Sequence, residues 1–285
     1  MTGLAPEGSK AALAPAPLAA APHAALAGLR WVLTDIDDTL TSDGRLTAAA
    51  YAALERLTEA GIAVVPVTGR PAGWCDMIAR LWPVAAVVGE NGALWYAYDP
   101  ATRRMRRHEV QDAPARAALR ARLDGLAARA MEAVPGSALA ADQPFRLFDV
   151  AVDFREDAGP LGLDEAARIA AIFREGGAEA KVSSIHVNAW IGQWDKLSGL
   201  KHLFATLWRP LEQVLDLVAY LGDSPNDAPL FATLPFSVGV ANVRPFLDRM
   251  PAAPAYVTER EAGAGFVEFA ESVLAARAAI SGGAR

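Results

Sequence analysis

With one cysteine in 285 residues, Cys75, no intramolecular disulfide can form, so the fold must be held by packing. There is no basic excess: 27 Lys and Arg stand against 33 Asp and Glu, a formal net charge of −6. Such a chain has no field with which to hold a nucleic-acid backbone or an anionic membrane surface, and any anionic ligand must be handled locally. Nowhere does the sequence approach the roughly 18 uninterrupted apolar residues of a membrane span. Lysine is confined to Lys10, Lys181, Lys196 and Lys201. Neither Cys75 nor the histidines His23, His108, His186 and His202 show zinc-ligand spacing. These absences leave a cytoplasmic protein that binds a small molecule, with no nucleic-acid or membrane partner.

What is present is an ordinary globular composition, 53% apolar and 21% charged, long enough for one large α/β domain or two smaller ones. Residues 1–28 are rich in alanine and proline, and Pro15, Pro17 and Pro22 interrupt any continuous apolar helix, so this segment reads as a disordered leader. From residue 29, short apolar runs alternate with amphipathic helical stretches. The runs are Leu29 to Thr34, Ile62 to Thr68, Ala85 to Val88, Leu217 to Leu221 and Phe236 to Val240; the helices between them include Thr47 to Ala60, Ala72 to Trp82 and Leu197 to Leu207. This is the pattern of a Rossmann-like α/β fold with a mainly parallel sheet. The alternation stops over residues 93–190. There the sequence predicts a hairpin (Leu94 to Tyr98 with Met105 to Val110), a helix (Ala113 to Ala133), a strand (Phe145 to Asp153), a second helix (Leu163 to Glu175) and a strand (Lys181 to Trp190). Residues 93–190 are therefore expected to be an inserted α+β domain, with 29–92 and 191–285 forming the core.

Ligands of an open parallel sheet bind outside the carboxyl ends of its strands. The first run ends in Thr34-Asp35-Ile36-Asp37-Asp38-Thr39-Leu40, three carboxylates in four positions that would repel one another unless a cation sat among them. An EF-hand loop is excluded because its sixth position from Asp35 is Leu40 where glycine is required; an acidic turn capping the next helix is the plainer alternative. The second run ends in Thr68-Gly69-Arg70, a hydroxyl, free N–H groups and a guanidinium suited to an anion. The fourth ends in Gly222-Asp223-Ser224-Pro225-Asn226-Asp227. Its two acids four apart, with the Asn226 amide beside them, favour a hard-metal site over a simple helix cap. Lys196, at a helix start, slightly opposes the helix dipole, and an anionic substrate would account for it there. These are the parts phosphoryl transfer needs.

In this order the four motifs resemble those of the haloacid dehalogenase superfamily of phosphatases, specifically the Cof-like subfamily IIB, over roughly residues 30–275. The resemblance implies a magnesium-dependent phosphatase acting on a small phosphorylated metabolite such as a sugar phosphate. It assigns Asp35 as nucleophile, forming an aspartyl-phosphate, and Asp37 as general acid and base, with Thr68 and Lys196 holding the phosphoryl oxygens. Magnesium would sit on Asp35, the Asp37 carbonyl, Asp223 and Asp227, with Asn226 nearby. Phosphomutases and pyrophosphatases share this set, and a non-catalytic phospho-ligand-binding protein is the reading outside catalysis. The one departure is Asp38, where many members have glycine.

The resemblance also makes the insert a cap that sets substrate choice. His186, Asn188 and Trp190 alternate along the strand leading back to Lys196 and so share a face, either over the site or against the cap helices. Glu90-Asn91-Gly92 marks the hinge, and Gly69, Arg70, Asn91, Asn188 and Asn226 join Thr68 and Lys196 as candidate substrate contacts; Arg70 and Arg146 are candidates for a second anionic group on the substrate.

Overall fold

The computed structural model describes residues 14–282. The first part of the chain forms β1 (Ala16–Pro17), α1 (His23–Gly28), β2 (Trp31–Thr34), α2 (Ala48–Glu59), β3 (Ala63–Pro66), α3 (Ala72–Leu81) and β4 (Val87–Gly89). A middle portion follows: β5 (Leu94–Asp99), β6 (Arg104–Glu109), α4 (Ala113–Ala133), β7 (Ala138–Leu139), β8 (Val150–Asp153), α5 (Leu163–Glu175), β9 (Glu179–Val182) and β10 (His186–Trp190). The last part supplies α6 (Lys196–Leu207), β11 (Val218–Gly222), α7 (Ala228–Thr233), β12 (Phe236–Gly239), β13 (Tyr256–Val257) and α8 (Ala262–Gly282).

Six strands make one parallel sheet in the order β1-β13-β12-β11-β2-β3. Its central strands are buried on both faces, which is why they read as unbroken apolar runs. On one face Leu54, Leu57, Phe266 and Phe269 of α2 and α8 pack against Val32, Val64 and Leu221; on the other Leu200, Leu203 and Phe204 of α6 pack against Leu33, Val65 and Tyr220. The fold is α/β, as the alternation predicts.

Four features differ from the expectations drawn above. Residues 16–28 are ordered: β1 pairs with β13 at the sheet edge, and Leu18, Ala21 and Leu26 are buried in the α2–α8 layer. Pro17 is tolerated there because an edge strand needs no donor on its open side, and Pro22 serves as the N-cap of α1. Residues 1–13 of the expected leader lie outside the described residues. The hairpin β5–β6 pairs antiparallel with β4 and buries Trp95 and Ala97 against α6, so it joins the parallel-sheet unit, while its other face, Leu94 and Tyr96, packs with Phe148 of the inserted segment. Finally, the segment Lys181 to Trp190 is two antiparallel strands, β9 and β10, turned at Ser183 and Ser184. With β7 and β8 they form a four-stranded sheet in the order β7-β8-β10-β9, covered on one face by α4 and α5 through Leu126, Ala130, Ile169 and Phe173. Likewise only Val150–Asp153 of the expected Phe145 to Asp153 strand is extended, since Gln143–Phe145 turns as a 3₁₀ helix.

The α6 helix enters the site through a close approach. Gly92 has φ +103°, and a Cβ on it would lie 1.9 Å from the Asp195 carbonyl; a Cβ on Gly199 would lie 2.6 Å from the Gly92 Cα. Both glycines let α6 dock its first turn on the loop after β4. Gly92→Ala should therefore lower stability by about 2 to 3 kcal/mol, a melting-temperature loss of several degrees, because the side chain meets backbone as well as a left-handed φ; differential scanning calorimetry checks it, and an unchanged melting temperature would contradict this docking.

Candidate active site

Strands β2 and β11 are neighbours, with Thr34 opposite Leu221 and the Asp35 N–H bonded to the Leu221 carbonyl at 2.9 Å. The two chains therefore run out of the sheet side by side, bringing Asp35 and Asp223 together. Asp35, Asp223 and Asp227 are all buried, and carboxylate oxygens from all three lie within 4.8 Å of one another. Into this group Lys196, at the first position of α6, projects its ammonium, 2.9 Å from Asp35 Oδ2 and 2.8 Å from Asp227 Oδ1. Asp195 and Ser198 form the N-terminal capping box of that helix, so the helix start is anchored independently of the lysine.

Burial pushes the Asp35 carboxyl up to about 7, against the pull of Lys196, and pushes Asp223 well above the usual carboxylate range, reinforced by Asp227 and Asp35. Burial works against the Lys196 charge as well, yet the facing carboxylates of Asp227 and Asp35 outweigh it and keep the ammonium charged. One ammonium does not offset three buried acids, and a hard cation between Asp35 and Asp223 would do so. The donor set fits such an ion. Asp227 has a different place: Oδ1 accepts from Lys196 and the Tyr220 hydroxyl, and Oδ2 from the N–H groups of Asp223 and Ser224. With both oxygens so engaged, Asp227 orients the lysine and the loop that carries Asp223.

Asp37 is gripped by Arg70, whose Nε and Nη2 donate to it at 2.8 to 3.0 Å. Arg70 also reaches Glu156 and Asp142 from the inserted segment. Its donors are spent on three carboxylates, so as placed it offers none to a substrate anion. Arg146, also a candidate for that role, is fully covered: it binds Asp142, Asp149 and the Gly69 carbonyl, and acts as a buried tie. Both expectations of a second anion site are thus corrected, because carboxylates distant in sequence claim these arginines first.

Thr68 is buried with its hydroxyl accepting from the Arg70 N–H at 3.0 Å. Beside it lies a small cradle: a Cβ on Gly69 would come within 3.2 Å of Asn91 Nδ2 and 3.3 Å of Asn188 Oδ1. Asn91, at φ +55°, keeps its buried Nδ2 without a protein acceptor. Asp35, Asp37, Gly69, Asn188, Asn226 and His186 line an enclosed cavity of about 10 Å³, room for a single water with the two units this close. His186 and Asn188 therefore face the site, while Val187 and Ala189 of the same strand pack on α4 and α5; Trp190 lies nearby, stacked on Trp194. A second cleft of about 620 Å³ opens outward from Asp37 and Asp223 between the loop after β2 and the turns carrying Glu156 and Ser184.

A haloacid dehalogenase-like hydrolase family matches residues 32–119. No curated protein matches the sequence. Among solved structures, the trehalose-6-phosphate phosphatase C-terminal domain of C. albicans superposes with a TM-score of 0.66 at 15% identity, covering 92% of this chain and 98% of that one. The Thermoplasma acidophilum 0175 protein gives 0.64 at 16% identity, covering 86% and 98%. The chain has the haloacid dehalogenase-like fold. A third such structure, the sucrose-phosphatase of Synechocystis sp. PCC6803 solved with sucrose and phosphate, gives 0.56 at 17% identity, covering 85% and 97%.

Several site residues have roles that the sequence does not show, Glu90 of the expected hinge among them. Glu90, fully buried, accepts from the N–H groups of Ala72, Leu147, Phe148 and Asp149 and so ties the start of α3 to the inserted segment. Burial, then Asp149, pushes its carboxyl up to about 7. Glu156 and Asn242 carry no local signal, since Arg70 and Asp38, which they bind, are 86 and 204 residues away; Asp149 has Arg146 three residues off, but its link to Asn188 spans 39 residues. Burial alone would raise Glu156; hydrogen bonds from His186 and Arg70 outweigh it and bring it to about 2. A depressed carboxyl stabilises the fold above its unfolded pKa, and that contribution is lost as pH falls toward 2. Glu156→Gln should thus cost about 1 to 2 kcal/mol at pH 7, allowing for partial exposure, and the deficit should shrink steadily below about pH 4.5. Urea unfolding of both proteins across that range measures it; a deficit independent of pH would contradict the ion pair.

Proposed function

We propose that the protein is a magnesium-dependent phosphatase that acts in the cytoplasm on a small phosphorylated metabolite, such as a sugar or polyol phosphate, through an aspartyl-phosphate on Asp35. The observation that carries this reading is a desolvated carboxylate at a strand end, flanked by Asp223, by a second carboxyl on Asp37 and by a buried ammonium. The similar structures named as phosphatases of trehalose 6-phosphate and of sucrose phosphate support the substrate class.

Asp35 attacks phosphorus with a carboxylate oxygen, and the bond from phosphorus to the leaving oxygen breaks. Asp37 gives that oxygen its proton. In the second half Asp37 takes a proton from a water that attacks phosphorus, the bond to Asp35 breaks, and inorganic phosphate leaves. Lys196 offsets the repulsion between an anionic nucleophile and an anionic ester; Asp227 holds Lys196 and the Asp223 loop; Arg70 fixes the orientation of Asp37. Gly69, Asn91 and Asn188, with Thr68 and Asn226 beside them, form the cradle for the phosphoryl oxygens. Magnesium, held by Asp35, the Asp37 carbonyl and Asp223, supplies charge stabilisation at the phosphoryl oxygens. The inserted segment from Ala113 to Trp190 serves as the cap that closes over this chemistry and shapes substrate choice.

Phosphate release from a panel of phosphorylated metabolites, assayed with magnesium and with a chelator, should require the metal and should fall at least about a thousandfold in Asp35→Asn. An Asp35→Asn protein with wild-type turnover would overturn the mechanism.

A further inference from the structure

The cleft of about 620 Å³ is where the part of a substrate beyond its phosphate would lie, because it begins at Asp37 and Asp223 and opens to solvent. Its charge is lopsided. Asp37 and Glu156 are both held by Arg70, and Asp223 belongs to the metal site, which leaves Asp38, Asp43 and Glu261 on the wall. None of these three forms an ion pair within 4 Å among the described residues, and one cation, Arg155, faces them across the gap. Leu163 and Phe246 add apolar surface.

Asp38 is the innermost of the three and is held in place from both sides. It adopts φ +55°, a conformation that Asp and Asn tolerate better than most side chains, and its carbonyl accepts from Asn242 Nδ2 at 2.8 Å. Ser184 of the β9–β10 turn lines the same cleft beside it, and its carboxylate sits in the field of Asp37, Asp43 and Arg155. No step of the proposed chemistry uses it.

We propose that Asp38 is a specificity-determining residue: it accepts hydroxyl hydrogen bonds from an uncharged, hydroxylated leaving group and rejects leaving groups that carry a second anionic group. This rests on the phosphatase reading for the position of the leaving group. A carboxylate or second phosphate entering this cleft meets three unpaired acids and one arginine, whereas a polyol finds an acceptor at Asp38, a hydroxyl at Ser184 and apolar surface for its C–H faces.

The test uses glucitol 6-phosphate and 6-phosphogluconate, which differ by one terminal CH₂OH in place of a carboxylate. Titration calorimetry on the full-length Asp35→Asn protein with magnesium reads binding without turnover. Glucitol 6-phosphate should bind at least about tenfold more tightly, with the gap narrowing as salt is raised. Adding Asp38→Asn, which keeps the backbone preference, should bring the two affinities within about threefold; circular dichroism confirms the fold. Equal affinities in the parent protein, a ratio unchanged by Asp38→Asn, or binding of neither ester would each overturn the proposal. Wild-type phosphate release is assayed separately: selectivity without turnover would remove the phosphatase reading and leave the selectivity standing.

Discussion

The site depends on one ammonium placed between two buried carboxylates. Lys196 reaches Asp35 and Asp227 at once, and without it three acids would be packed into a desolvated corner with nothing to oppose their repulsion. Breaking a buried pair of this kind costs about 3 to 5 kcal/mol, since the orphaned charge stays in the interior. The pair is weak evidence for stability and better evidence for a function that needs those acids close together. Around it the structure is arranged in support: a glycine contact docks α6, a capping box anchors its first turn, and a tyrosine and two N–H groups hold Asp227.

A second layer of charge joins the parallel-sheet unit to the inserted one. Arg70 and Arg146 each bridge them, Arg70 through Asp37, Glu156 and Asp142, Arg146 through Gly69, Asp142 and Asp149. Glu90 adds four backbone hydrogen bonds at the same seam. The result is a closed arrangement in which the innermost cavity holds about one water, while the wider cleft beyond Asp37 stays open. Under the proposed function, entry of a phosphoryl group into the inner cavity would require these units to move apart.

The apolar runs and their polar ends were sufficient to place β2, β3, β4, β11 and β12 and to bring Asp35, Asp37, Thr68, Lys196, Asp223 and Asp227 forward as candidates, because period and turn chemistry are local properties of the chain. Composition alone led to errors at the N-terminal segment, whose alanines and prolines gave no sign that Leu18 and Leu26 would find the face of α8. The β5–β6 hairpin was recognisable as a hairpin, but which sheet it would join depended on the burial of Trp95 against α6.

What the sequence determined by itself was the set of candidate reacting groups and the fold class, since each lies in a short window where spacing carries the chemistry. What only the tertiary structure decided was how those groups are used: that Asp227 is saturated by four donors, that Arg70 and Arg146 serve the seam, and that Glu90, Glu156 and Asn242 belong to the site. The physical reason is reach. A hydrogen bond or ion pair is formed with whatever the folded chain brings within about 3 Å, and for these side chains the partners are tens to hundreds of residues away.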